Sequence, residues 1–340
     1  MIVSGVTLCP LNFFATAGCA IAAIPVAGLL YQSYGKWADR RRFPPPGRIA
    51  RIGKQRFHIV EKGAGPTVVL EAGIASTSLA WVNIQRELAK EANVIAYDRT
   101  GFGWSSRARG PRTLDAVVED LHAVLREAHG APPYLLVGHS YGGLVVLLFA
   151  KRHPELVSGV VLVDAVNTCD WSPLSDSQSR RLHRGVVLSR RGAILARFGV
   201  VRLALSLLMA GNSRLPQLIS RWSAGNGASV PQRLTGEVRK LPREVWPMVR
   251  MHWSDEKCFQ TMAEYLERLP RNAESACDAG WPTNVPIIAI TVPVTSADFP
   301  AGVEHRIANK SGHWIQLDEP DVVLQAIREL LARQSVEAGP

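Results

Sequence analysis

The sequence predicts an α/β protein: a mainly parallel sheet with helices on both faces, a helical insertion, and an apolar helix ahead of the globular part. Three observations carry this reading. Short β-branched runs alternate with helical patterns over residues 56–165 and again from 285 onward. Several of these runs are apolar throughout, as strands covered on both faces are, rather than alternating in polarity. Between 166 and 284 the rhythm lapses into helical patterns and turn signals without a convincing strand.

The N-terminal element comes first. Residues 1–35 hold no charged side chain, and 6–31 are almost wholly apolar. That length matches a hydrocarbon core of ~30 Å. Lys36 and Arg40-Arg41-Arg42 follow, with Tyr31, Tyr34 and Trp37 at interfacial depth. No basic segment precedes the run, which argues against a cleaved signal peptide. Thr16-Ala17-Gly18-Cys19 lacks the leucine of a lipoprotein site. Residues 1–35 therefore read as an uncleaved single-pass transmembrane anchor, and the basic residues after it place the main domain on the cytoplasmic side. Residues 36–47, closing on Pro44-Pro45-Pro46-Gly47, read as a basic, Pro-rich linker.

The net charge of +10 is uneven. Residues 36–62 carry nine basic and two acidic side chains, and 173–235 carry ten arginines against Asp176 alone. The remainder is mildly acidic, so the basic pI does not imply nucleic-acid binding, and no zinc-finger or RNP-like string supports it. Two basic patches on an acidic body fit an anionic membrane surface. A composition of 47% hydrophobic and 20% charged residues excludes a mainly disordered chain. Cys9, Cys19, Cys169, Cys258 and Cys277 form neither a disulfide framework nor a metal-ligand cluster and read as plain thiols.

Within the globular part, residues 56–60 and 67–70 are strands ended by Gly63 and Gly73, 78–89 a helix and 93–97 a strand. Thr113 caps an amphipathic helix whose one face is Leu114, Val117, Val118, Leu121, Val124 and Leu125. A buried strand at 134–138, a helix from Tyr141 to about Arg152 and a Val/Leu strand ending at Asp164 follow. Strands at 285–292 and 303–307 and a helix starting at Pro320 complete the chain. In the insertion, 193–210 reads as one very apolar helix with only Arg197 and Arg202 charged. It either packs over the site as a cap or touches a bilayer or an acyl chain.

Gly138-His139-Ser140-Tyr141-Gly142 is the most informative string: G-x-S-x-G between a buried strand and a helix. The turn must be sharp enough to project a serine hydroxyl above the sheet, and glycines let strand and helix approach. With it, the chain resembles the α/β-hydrolase superfamily over residues 48–331, the insertion standing where that family carries its cap. The core would then comprise 48–165 and 285–340, and the cap 166–284. Leu70-Glu71-Ala72-Gly73-Ile74 is similar to the family's oxyanion turn, and Asp98-Arg99-Thr100-Gly101-Phe102-Gly103-Trp104-Ser105 to its D-R-x-G-x-G-x-S loop. The resemblance implies oxyanion donors at the Ile74 and Tyr141 backbone N–H groups, Ser140 as nucleophile and His313, in Ser311-Gly312-His313-Trp314, as base. Asp98 and Arg99 read as loop braces, and His139 as a packed residue of the elbow.

The acid that holds the histidine has two candidates. The family usually places it after the penultimate strand, where Asp298 is available. Asp164 ends an all-apolar strand and needs a polar partner if buried. Asp164 is the leading choice and Asp298 the alternative.

These readings point to a membrane-anchored serine hydrolase acting on a small-molecule ester or lipid-like acyl substrate, with no metal, organic cofactor or nucleic acid. Acyl transfer or C–C hydrolysis on the same machinery, and a non-catalytic binding protein with this fold, are the alternatives. Epoxide hydrolase chemistry needs a carboxylate where this chain has Ser140.

Overall fold

The computed structural model describes residues 10–167, 171, 173–210, 238–295 and 298–337, with side chains described over 23–334. Val6, Cys9, Cys169 and the segment 211–237 lie outside the described residues.

Eight strands form one sheet: β1 (Arg48–Ile52), β2 (Gln55–Lys62), β3 (Thr67–Glu71), β4 (Asn93–Asp98), β5 (Tyr134–His139), β6 (Val157–Val163), β7 (Ile287–Thr291) and β8 (Val303–Ile307). Their order is β1-β2-β4-β3-β5-β6-β7-β8. β1 and β2 pair antiparallel, as do β2 and β4, and every other neighbouring pair is parallel. The expected α/β class therefore holds. β1 is the strand the sequence hid. Arg48-Ile49-Ala50-Arg51-Ile52 falls within the expected core but outside the expected strands; its charge suits an edge strand because it deters pairing with another chain.

Helices α2 (Val82–Leu88), α3 (Leu114–Glu127) and α4 (Tyr141–Arg152) follow β3, β4 and β5. The Thr113 hydroxyl accepts the Ala116 N–H, so the expected cap of α3 forms. Each face of the sheet buries its own apolar layer. Leu114, Val117, Leu121, Leu144 and Phe149 cover one face; Trp81, Ile84, Val323, Ile327 and Leu330 cover the other. The middle strands β3, β5 and β6 are consequently apolar on both sides, as their unbroken Val/Leu runs required.

Between β6 and β7 lie α5 (Asp176–Arg197), α6 (Val200–Met209), α7 (Trp246–Trp253) and α8 (Glu256–Ala279). Residues 193–210 are not one helix. Gly199 takes φ +75°, a left-handed conformation that ends α5, and α6 departs at 89°. After β8 come the one-turn α9 (Ile315–Asp318) and α10 (Pro320–Glu337).

The N-terminal helix α1 (Pro10–Arg42) continues past residue 35 into the basic stretch. Among the described residues no single helix is long and apolar enough to cross a membrane, so the fold does not establish the transmembrane span expected over 1–35. Its C-terminal half is instead part of the folded body. The Gln32 amide donates to the Ser254 carbonyl at 2.7 Å, and Lys36 pairs with Asp255 at 3.1 Å.

The Pro-rich linker is anchored by a buried pair. His58 on β2 bonds Asp98 on β4 through Nδ1 at 2.8 Å and the Pro46 carbonyl through Nε2. Both ring nitrogens meet acceptors, so the ring is an imidazolium. Burial works against that charge, but the Asp98 carboxylate and the Pro46 carbonyl outweigh it and raise the His58 pKa above 6.5. Burial likewise opposes the Asp98 carboxylate, and His58 outweighs it to hold Asp98 well below 3.8. The histidine's contribution is therefore complete below pH 6.5 and is lost as pH rises through its raised value. The aspartate's is complete above pH 3.8 and is lost as pH falls through its lowered value. Thermal melts of wild type and His58→Gln in detergent should differ most between those limits, and the gap should narrow by pH 9. A gap independent of pH would show that His58 is not charged in the fold.

Candidate active site

The strand-turn-helix at β5 and α4 has the geometry its glycines imply. Ser140 sits between them at φ +54°, ψ −121°, a region that costs a non-glycine residue about 1–3 kcal/mol. Close packing holds it there. A Cβ on Gly138 would meet the Gly142 carbonyl oxygen at 2.6 Å, and one on Gly142 would meet the Glu71 carbonyl oxygen at 2.6 Å. The Ser140 N–H donates to the Val163 carbonyl at 3.0 Å, tying the turn to the end of β6.

Asp164 is the next residue after β6. His313 Nδ1 lies 2.6 Å from Asp164 Oδ2. The Thr295 hydroxyl donates to the other carboxylate oxygen at 2.9 Å. Burial opposes ionisation, but the hydrogen bond and charge of His313, together with Thr295, hold the Asp164 carboxyl below its usual range. The His313 ring is half exposed and Asp164 is buried beneath it. The alternative acid, Asp298, is exposed, and His313 is paired with Asp164 instead. The segment after β7 thus reaches Asp164 through the Thr295 hydroxyl.

His139 joins the two halves of this arrangement. Its Nε2–H donates to the His313 carbonyl at 2.9 Å, and the two rings lie 4.8 Å apart. Burial, with the neighbouring His313, lowers its pKa to about 3, so it stays neutral. It is a strut between the elbow and the histidine loop, in keeping with the packed role its position suggests.

Opposite the elbow is the turn after β3, which contains Ile74. Arg99 organises it from below. Its guanidinium donates to the Ala72 and Gly73 carbonyls, both at 2.5 Å, and pairs with Glu71 at 2.5 Å. The Tyr97 hydroxyl donates to the second Glu71 oxygen. Tyr141 begins α4, where the first-turn N–H groups have no intrahelical acceptor. The two expected oxyanion donors thus belong to the turn after β3 and to the first residue of α4. Among the described residues no group of three or more His, Cys, Asp or Glu side chains is placed to hold a metal ion.

The profile of the alpha/beta hydrolase fold matches residues 66–236, half of the chain. The chain belongs to the α/β-hydrolase fold family. Among solved α/β-hydrolases, the epoxide hydrolase CorEH is 19% identical with a TM-score of 0.64, covering 84% of this chain and 98% of that one. Wild-type Cfl2 from Burkholderia cenocepacia is 18% identical with a TM-score of 0.60, over 83% and 94%. At such identities the likeness speaks for the fold alone. The uncharacterized protein YqjL of Bacillus subtilis is 37% identical over 116 residues, 33% of this chain and 46% of that protein. The chain thus spans under half the length of this curated relative.

Three members of this α/β-hydrolase site escaped the sequence reading. Glu71 stood within a quoted motif, and its signal was a carboxylate ending an otherwise apolar strand. Thr295 gave no signal. Asn272 lies mid-helix on the apolar side of α8, where its amide bonds the Tyr141 hydroxyl at 2.9 Å and the Leu114 N–H at 3.0 Å. A polar residue on that face was the available clue.

Arg99→Met should destabilise the protein by about 3–5 kcal/mol, because it leaves the Glu71 charge buried and unpaired. It should also lower any esterase turnover by roughly 10²-fold by releasing the Ile74 turn. Adding Glu71→Gln should restore much of the melting temperature but not the rate. If rate recovers along with stability, Arg99 has no positioning role.

Proposed function

We propose that this α/β-hydrolase is a membrane-anchored serine hydrolase that cleaves a carboxylic ester or related acyl compound. The observation that carries the reading is the Asp164–His313 pair at 2.6 Å, joined through His139 to a serine on a strained strand-to-helix turn. Ser140 Oγ attacks the carbonyl carbon while His313 Nε2 takes its proton. Asp164 holds the ring in the tautomer that leaves Nε2 free to do so. The oxyanion lies between the Ile74 and Tyr141 N–H groups. His313 returns the proton to the departing alcohol, and water resolves the acyl-enzyme by the same steps.

The names of the epoxide hydrolase neighbours do not transfer, because the alkyl-enzyme route requires a carboxylate at the position of Ser140. Membrane attachment rests on the apolar run through α1 and on Arg40, Arg41 and Arg42 at its end, all exposed. The test is reaction of detergent-solubilised protein with a fluorophosphonate, followed by turnover of short- and long-chain esters. Rapid stoichiometric labelling is expected. Well-folded protein that neither labels nor turns over an ester would leave a binding protein on a hydrolase fold.

A further inference from the structure

Helix α1 meets the cap along one stripe. Gly28, Gln32, Gly35 and Asp39 recur at helical spacing and face α5, α6 and α7. A Cβ on Gly28 would fall 2.5 Å from the Phe198 carbonyl oxygen, and one on Gly35 would fall 2.6 Å from Arg202 Nε. Asp39 and Arg202 form a buried ion pair. Arg250 reaches the same carboxylate at 3.2 Å, and Arg202 Nε donates to Gln32 at 2.8 Å. Gln32, Asp39 and Arg202 are buried and bonded to one another, so the C-terminal half of α1 packs as part of the cap rather than as a tether.

The point where α1 leaves that body is fixed by the same contacts. Residues 23–27 are all exposed and uncharged, and among the residues whose side chains are described Gly28 is the first that the cap covers. What covers it is the α5–α6 corner, Phe198 and Gly199. The corner presents apolar side chains to the outside: Ile194 is 60% exposed, Leu203 44% and Met209 41%. Arg197 stands exposed at the bend, with Arg180, Arg181 and Arg184 exposed further back along α5. Around the bend, residues 193–210 carry only two charged side chains, Arg197 and the buried Arg202. An exposed apolar tip backed by arginines is what an interfacial segment presents to anionic headgroups.

We propose that the α5–α6 corner is a second membrane-contact site, seated in an anionic phospholipid leaflet beside α1. The inference rests on the reading that α1 enters a membrane. The body then stands on the bilayer through its cap, with Ile194 and Leu203 in the acyl boundary and the arginines at headgroup level. Charge complementarity selects a lipid leaflet over a second copy of this chain, whose corner would bring the same arginines face to face.

The test uses the full chain with its native cysteines replaced. An environment-sensitive fluorophore is placed through Ile194→Cys, Leu203→Cys or, at the far edge of the sheet, Ile307→Cys. Each protein is reconstituted into phosphatidylcholine vesicles with about a third phosphatidylglycerol. The expected result is flotation with the vesicles, blue-shifted emission at 194 and 203, and at least about twofold quenching there by doxyl-labelled lipids, with 307 unaffected. Flotation with 194 and 203 in water overturns the corner and leaves the anchor standing. Labels that are shielded yet unquenched by doxyl lipids mean a protein partner and also overturn it. Failure to float removes the anchor and the corner together.

Discussion

Ser140→Ala abolishes fluorophosphonate labelling and lowers ester turnover by about 10⁴-fold or more, with little change in melting temperature. On the proposed mechanism the rate loss follows from the acyl-enzyme, which would have no other attachment point. His139 is adjacent, but its ring is buried and packed against Gly73 with Nε2–H held by the His313 carbonyl, so it offers no substitute nucleophile. The fold should survive because the strain at this position is held by the backbone. The Ser140 N–H bonds Val163, and the glycines on either side allow the approach of helix and strand. Alanine at φ +54° suffers the same strain as serine, to within about 1 kcal/mol. Single-turnover hydrolysis that persists in Ser140→Ala would mean that water, not this serine, attacks the substrate.

Asp164→Asn should cost about 10⁴-fold in turnover, while Asp298→Asn stays within about twofold of wild type. The hydrogen-bond pattern around Asp164 explains why so small a change acts so strongly. Thr295 donates to Oδ1, which an asparagine carbonyl accepts equally well. That fixes the amide orientation and turns its NH₂ toward His313 Nδ1. The ring must then accept at Nδ1 and carry its proton on Nε2, the atom that has to be free to deprotonate Ser140. A Thr295→Val, Asp164→Asn double variant should regain part of the rate, since the amide is then free to flip. Equal loss in Asp298→Asn, with Asp164→Asn unaffected, would reassign the acid.

Much of this site was legible in the chain. Ser140 and His313 stand out as candidates because each lies in a short string whose neighbours are dictated by local geometry: glycines flanking a turn, and a histidine between the last strand and the last helix. Arg99 and Asp98 were readable as braces for the same reason. The acid was less legible. Asp164 and Asp298 both follow apolar strands, and local sequence carries no record of which strand end lies beside the histidine loop. The hydroxyl of Thr295 in the place expected of a carboxylate appears only when β6 and β7 are paired.

The two levels divide along the range of the interactions. Residues separated by a few positions specify the alternating strands and helices, the capped α3 and the strained elbow, because backbone sterics and hydrophobic periodicity act over one or two turns of chain. Contacts between segments far apart in the chain were settled by packing: His313 on Asp164, Arg99 beneath the Ile74 turn, Asp39 on Arg202, and the right-angle bend at Gly199. A composition that reads as one apolar helix became two because a glycine in the left-handed region let the chain turn against α1. The C-terminal half of the N-terminal helix, whose sequence reads as the end of an anchor and a linker, packs on the cap because a buried carboxylate between two arginines is stable only when all its partners arrive together.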